Sequence, residues 1–341
     1  TLLGSGALSG GVATFTTSTL SVGSHPLTAV YGGSADFSGS TSAVDTQTVN
    51  AADTTVVLTS APDPSVFGQG KVLTATVTVV APGTGVPTGS VSFFDGATLL
   101  GSGALSGGVA TFTTSTLNAG SHALTAVYGG SGTHNGSTSP VDVQTVNKAN
   151  TTTSVSSSPN PSVFGQPVVL TAIVAAVAPG AGTPTGTVTF FIGGIPQTPA
   201  TLTGGVATFT TSTQSVGARS VRATYNGSSN YNTSTSSTIN QTVTKANTST
   251  ALSTAPNPSL SGQPVTLTAT VTPVAPGGGT PTGTVSFFDG ATLLGTGALS
   301  AGVATLTTST LSVGSHSLTA VYSGSGSHNA STSPVITQTV S

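Results

Sequence analysis

The chain of 341 residues has no cysteine, no methionine and no tryptophan. Its seven acidic residues are all aspartate, so glutamate is missing as well. Without cysteine there are no disulfide staples and no thiolate chemistry, and whatever folds here is held by its core alone. Charged residues make up 4% of the chain, which excludes disorder of the highly charged kind. Five Lys and Arg leave no electrostatic footprint for nucleic acid or an anionic membrane. No apolar run approaches the roughly 20 residues of a spanning helix, so no membrane insertion is expected in this segment. No signal-peptide pattern opens the chain, which begins mid-repeat. A net charge of −2 on so apolar a composition keeps a protein in water poorly. The surface is therefore expected to be covered by sugar or buried in an assembly.

What fills the chain is Thr, Ser, Gly and Val, which suit half-buried strands and tight turns and disfavour helix. They are organised by a repeat. The stretch Gly107–Tyr128, GGVATFTTSTLNAGSHALTAVY, recurs at Gly10–Tyr31, Gly204–Tyr225 and Ala301–Tyr322, and every step is 97 residues. Tyr31, Tyr128, Tyr225 and Tyr322 mark its end, and Phe93, Phe190 and Phe287 mark a second core column. The chain divides into residues 1–50, which match only the second half of a repeat, and three full copies at 51–147, 148–244 and 245–341. A unit of this size can bury its own core, which predicts separate units in series rather than a solenoid.

Within 51–147, Thr54–Ser60 reads as an edge strand that changes sheet at the break Pro62-Asp63-Pro64. Lys71–Val80 alternates, with Leu73, Ala75, Val77 and Val79 on one face. Ser90–Phe94 follows, with Val91 and Phe93 inward, then a weak edge strand over Thr98–Leu105. Val109–Leu117 turns Ala110 and Phe112 to the core, and in His122–Tyr128 the residues Leu124, Ala126 and Tyr128 share a face. Thr138–Val146 is the last strand. About seven short strands with frequent turn signals predict an all-β sandwich.

The run FGQ, VLTATV, PTGSVSFFDG, GGVATFTTSTL, GSHALTAVYGG, STS and QTV resembles the bacterial immunoglobulin-like repeat of the third group. The resemblance covers the whole chain. It implies tandem immunoglobulin-like sandwiches in a large secreted or surface-bound prokaryotic protein, and it implies a spacer rather than any particular ligand. The disulfide and core Trp of antibody domains are missing.

Chemistry is sparse. His25, His122 and His316 share a column with Arg219, and His134 and His328 share one with Phe37 and Tyr231. A metal ligand or general base is not exchanged for Arg, Phe or Tyr, so these columns are expected to be polar strand-start or loop residues. Asp53 becomes Asn150 and Asn247, and Asp63 becomes Asn160 and Asn257. Calcium at the junctions would need converging carboxylates, so these residues are read as turn formers. A Lys–Asn crosslink needs a buried Lys beside an acid, and Lys71 aligns with Val168 and Val265. No phosphate loop, zinc spacing or nucleophile elbow is present, and no catalytic, metal or cofactor-binding residue is assigned. Asn-X-Ser/Thr sequons stand at Asn135, Asn150, Asn226, Asn232, Asn240, Asn247 and Asn329 as candidate glycosylation sites. The third copy departs from the others at Ile192–Ala200, where a copy-specific contact is to be sought.

The expected role is a structural stalk of a surface protein or filament, extracellular and without catalysis, partnered by neighbouring units of the same chain. Units of about 35–45 Å joined by short linkers predict a rod of roughly 120–150 Å. Two alternatives stand beside it. One is a filament of identical chains in which residues 1–50 are completed by a neighbour. The other is an adhesin module that binds a host or matrix ligand through loops.

Overall fold

The computed structural model describes all 341 residues as strands, turns and loops, with no helix. It divides into two compact units, Thr1–Ala149 with Ala178–Ala181, and Asn150–Val177 with Gly182–Ser341.

In the first unit, residues 1–50 form β1 (Gly23–Leu27), β2 (Val30–Tyr31), β3 (Ser40–Thr41) and β4 (Asp45–Val49). β1 pairs with β4 and β2 with β3. The first strands of a full copy have no counterpart in 1–50, and Ala29 and Phe37 are exposed there where Ala126 and His134 of the next copy are buried. Tyr31 is only half-buried, unlike the other three tyrosines of its column, which corrects its reading as a core residue.

The copy at 51–147 follows as β5 (Thr54–Ala61), β6 (Ser65–Val66), β7 (Lys71–Val79), β8 (Ser90–Asp95), β9 (Thr98–Ala104), β10 (Val109–Thr114), β11 (Gly120–Tyr128), β12 (Ser137–Thr138) and β13 (Asp142–Asn147). One sheet runs β10-β7-β5 and the other β6-β13-β11-β8-β9. The prolines at 62 and 64 cannot donate to a ladder, so the chain leaves the first sheet there and re-enters the second at β6. β6 then lies parallel to β13, Ser65 opposite Val146. The expected last strand is in fact two. Ser139 and Pro140 interrupt it, and the Ser139 hydroxyl accepts the Ala126 N–H at 3.0 Å while donating to Pro140 O at 2.8 Å.

Alternation places the core. Leu73, Ala75 and Val77 of one sheet face Val91, Phe93, Leu124, Ala126 and Tyr128 of the other, all buried. Fully burying an apolar side chain of this size contributes roughly 1.5–3 kcal/mol, which is what a copy without disulfides relies on. The Tyr128 hydroxyl meets its own requirement by donating to Thr88 O at 2.9 Å, across the Pro-Thr-Gly turn. β9 carries glycines because it lies close against β10: a Cβ on Gly103 would sit 2.4 Å from Thr111 O.

The second unit holds two further sandwiches of this kind. Its three-stranded sheets are Thr151–Ser158, Val168–Ala176, Val206–Thr211 and Thr248–Ala255, Val265–Pro273, Val303–Thr308. The edge strand seen at Thr292–Ala298 is reduced in the earlier copy to Ile195–Pro196 and Ala200–Thr201, where Pro196 and Pro199 remove backbone donors. Only Lys245–Asn247 separates Ile239–Thr244 from Thr248–Ala255. Across that junction Gly278 N–H donates to Phe164 O at 2.9 Å, and the Phe164 ring stands edge-on to His328, centroids 5.4 Å apart. The approach needs Gly165, whose φ is +81° and whose Cβ, if present, would lie 2.5 Å from Gly278.

Candidate functional site

His122 and His316 stand at strand starts, and each makes a contact that the sequence did not show. His122 Nδ1 lies 2.7 Å from Asp95 Oδ2, and His316 Nδ1 lies 2.6 Å from Asp289 Oδ2. The other ring nitrogen faces a carbonyl in both: Asn118 O at 2.8 Å and Ser312 O at 2.7 Å. A neutral imidazole has one N–H and serves one of two acceptors, whereas the imidazolium serves both. The hydrogen bond to Ser312 O, followed by that to Asp289, holds the His316 pKa above its usual value. Because Nε2 is spent on a main-chain oxygen, the pair cannot deprotonate a nucleophile as the base of a catalytic triad does. It clasps the Asp289 turn to the loop before Gly314–Tyr322.

The clasp has a pH signature. A folded-state pKa raised above the unfolded value near 6.5 contributes stability that is complete below that value and is lost as pH rises through the folded pKa. Urea midpoints of the native chain should therefore fall for this copy as pH rises from about 6 into the alkaline range, and His316→Gln should flatten the fall. An equal pH slope in both proteins would remove the clasp from the stability of the fold.

The second histidine column is buried: His134 is 5% and His328 1% exposed, with Tyr231 at 3%. His328 Nε2–H donates to Gly278 O at 3.1 Å and so ties the Pro/Gly loop to the end of its sandwich, whereas His134 Nε2 has no hydrogen-bond partner. The Asp/Asn columns are cross-strand ties. Asn135, Asn232 and Asn329 each donate Nδ2–H at 2.8 Å to Asp53, Asn150 and Asn247. Asp63, Asn160 and Asn257 accept the N–H of Thr145, Thr242 and Thr339. No group of three or more His, Asp or Glu side chains converges on one point.

All seven sequon asparagines are exposed. The amide nitrogen of four of them is already a donor, since Asn226 Nδ2 also reaches Thr187 Oγ1 at 2.9 Å. A glycan on that nitrogen would replace one of its two N–H bonds, so Asn150, Asn240 and Asn247 are the acceptors that leave those ties intact.

Two buried groups were missed in the sequence. Lys71 is fully buried, and its Nζ has no hydrogen-bond partner. The parity of Leu73, Ala75 and Val77 already places it on the inward face. No carboxylate pairs with it, so the crosslink chemistry has no second partner here. Gln144, Gln241 and Gln338 are also fully buried, and each Nε2 ties the final strand of its copy to the proline bend. In the last copy it donates to Pro256 O, Ser259 Oγ and Thr339 O at 3.1, 3.2 and 3.1 Å.

The family model of the bacterial Ig-like domain (group 3) matches residues 1–50, 58–147, 155–244 and 252–341. No curated protein sequence matches the chain. Among solved structures, invasin, described as a bacterial integrin-binding protein, is 14% identical over 78% of this chain and 56% of its own, with a TM-score of 0.43. The Escherichia coli adhesin FdeC is 16% identical over 84% and 96%, at 0.27. The fibronectin(III)-like modules of Clostridium thermocellum CbhA are 18% identical over 55% and 93%, at 0.23.

Proposed function

The chain belongs to the bacterial Ig-like domain family of group 3, and from that premise we propose that it is a load-bearing spacer segment of a secreted or cell-surface protein, without a reaction of its own. The observation that carries this reading is the pairing of the entry and exit strands. In each full copy the segment that follows the proline break lies parallel to the final strand, as a short strand with Ser65 against Val146 and Ser162 against Val243, and as a single bridge of Ser259 to Val340 in the last copy. Force applied through the two ends of a copy pulls these parallel neighbours in opposite directions along their length. Their hydrogen bonds are then loaded together in shear rather than opened one at a time. The buried glutamine amide sits at this pair and ties it to the proline bend, as Gln241 does through Pro159 O and Ser162 Oγ at 3.1 Å each.

The junction inside the second unit supports the same role. Three residues of linker and a main-chain bond from Gly278 to Phe164 couple the two sandwiches directly, and short connections limit bending. Residues 1–50 carry only part of the repeat, so the reading rests on the three full copies.

Pulling the whole chain by its ends tests it. Three distinct unfolding peaks are expected, each releasing about 30 nm, since 97 residues extend by ~3.5 Å each and the folded length is subtracted. Extension with no force peak would remove the load-bearing role.

A further inference from the structure

A cleft between the Asp289 hairpin and the Thr310–Ser312 loop recurs at the equivalent place in the third copy, and the two are chemically different. In the last copy it measures about 320 Å³, and its lining is closed on itself: Asp289 is answered by His316, and Leu311 fills the floor. In the third copy it measures about 370 Å³, and the same positions hold Ile192, Arg219 and Gln214. The substitutions that set this copy apart therefore gather around one cavity.

They also leave it unsatisfied. Gln214 is 9% exposed, stands where the other full copies have Leu117 and Leu311, and neither polar atom of its amide has a partner. Leaving a buried amide unpaired costs about 1–3 kcal/mol, and an acceptor in the cleft that draws out the N–H would recover part of it. Arg219 donates to Ala218 O at 3.3 Å and to the Ser215 hydroxyl, neither of them a charge. The other arginine, Arg222, is occupied over the Phe191 ring, 4.1 Å from its centroid. Residues 148–244 contain Lys148, Arg219 and Arg222 and no acid, a formal charge of +3 in a chain whose total is −2. The copy supplies no carboxylate to its own guanidinium.

We propose that this cleft binds a carboxylate carried on a short aliphatic stem. Arg219 would take the carboxylate in the fork geometry its planar guanidinium favours. Gln214, whose amide is closed to solvent in the free chain, would turn its Nε2–H into the cleft as one further donor, and Ile192 and Ile195 would cover the stem. The inference stands apart from the spacer role: a segment that bears load can carry one recognition cleft, and the two tests fail separately.

The test is an NMR titration of the whole chain with 4-methylpentanoate, following the Gln214 side-chain amide and the Arg219 Nε–H. Saturable shifts with a Kd of ~1–10 mM are expected, the range of a single charge-assisted contact with little apolar burial. Arg219→Gln should weaken binding about tenfold or more. Gln214→Leu, which restores the residue of the other copies and so keeps the core, should abolish the Gln214-dependent part. The amine 4-methylpentylamine should not bind, and glucuronate, a carboxylate on a polar frame, should bind more weakly. Absence of saturable shifts, or equal affinity in Arg219→Gln, overturns the site. Glucuronate binding as tightly as 4-methylpentanoate overturns the aliphatic stem.

Discussion

Replacing Lys71 by valine is expected to stabilise the copy at 51–147 by about 2–3 kcal/mol, a gain that is unusual for a single substitution. The side chain lies on the inward face of β7 with no solvent exposure, and its Nζ meets no acceptor. Burial lowers its pKa from the usual lysine range, because the cation loses hydration and gains no partner. The other full copies show what the position holds otherwise: Val168 and Val265, both 1% exposed, in strands of the same register. The strand therefore already closes around valine elsewhere in this chain. The pH dependence follows from linkage. The folded state binds fewer protons than the unfolded state between the depressed pKa and about 10.5, so stability rises with pH across that window. Urea unfolding of the native chain at pH 7 and pH 10 should show this copy gaining stability, while Lys71→Val should be more stable at pH 7 and nearly flat. A valine variant less stable than the native chain at pH 7 would mean that the amine finds an acceptor in solution.

Phe287→Ala is expected to cost about 3–5 kcal/mol and to bring the last copy close to unfolding, since a domain of this size has roughly 5–15 kcal/mol in total. Phe287 is fully buried in a cluster with Leu267, Val285, Leu318 and Tyr322. In the two preceding copies the equivalent ring has an aromatic neighbour: Phe93 stacks on Phe112 at 5.9 Å and Phe190 on Phe209 at 6.1 Å. In the last copy the neighbour is Leu306, which is half-buried. A truncated Phe287 thus leaves a void bordered by aliphatic side chains fixed in strands, which collapse little. Calorimetry of the whole chain should show one transition shifted far down while that of residues 51–147, in the other unit, stays in place. A loss below about 1 kcal/mol would mean that the sheets close over the gap.

Much of the architecture was readable along the chain. The sheet change at Pro62-Asp63-Pro64, the edge character of Thr98–Ala104 and the inward faces of Leu73 and Tyr128 all follow from proline chemistry and period-two alternation. The break at Ser139-Pro140 was not foreseen, because a serine hydroxyl that replaces a strand partner leaves no mark in the apolar pattern. The candidate sites were read less well. His316 and Asp289 are 27 residues apart and are joined only because neighbouring strands bring their ends together. In the third copy both positions change together, to Arg219 and Ile192, and that paired change is the one signal of the contact in the sequence.

Sequence by itself determined the repeat length, the all-β class, the family and the absence of cysteine chemistry. Each of these depends on composition or on spacing counted along one chain. Tertiary structure alone decided which polar groups are answered and which are not. The Gln144 amide nitrogen is tied to Pro62 and Ser65, whereas its amide oxygen, the Gln214 amide and the Lys71 amine are left alone in the interior. The physical reason is that a buried polar group is satisfied or orphaned by atoms some 80 residues away, and sheet packing, not local pattern, sets their distance.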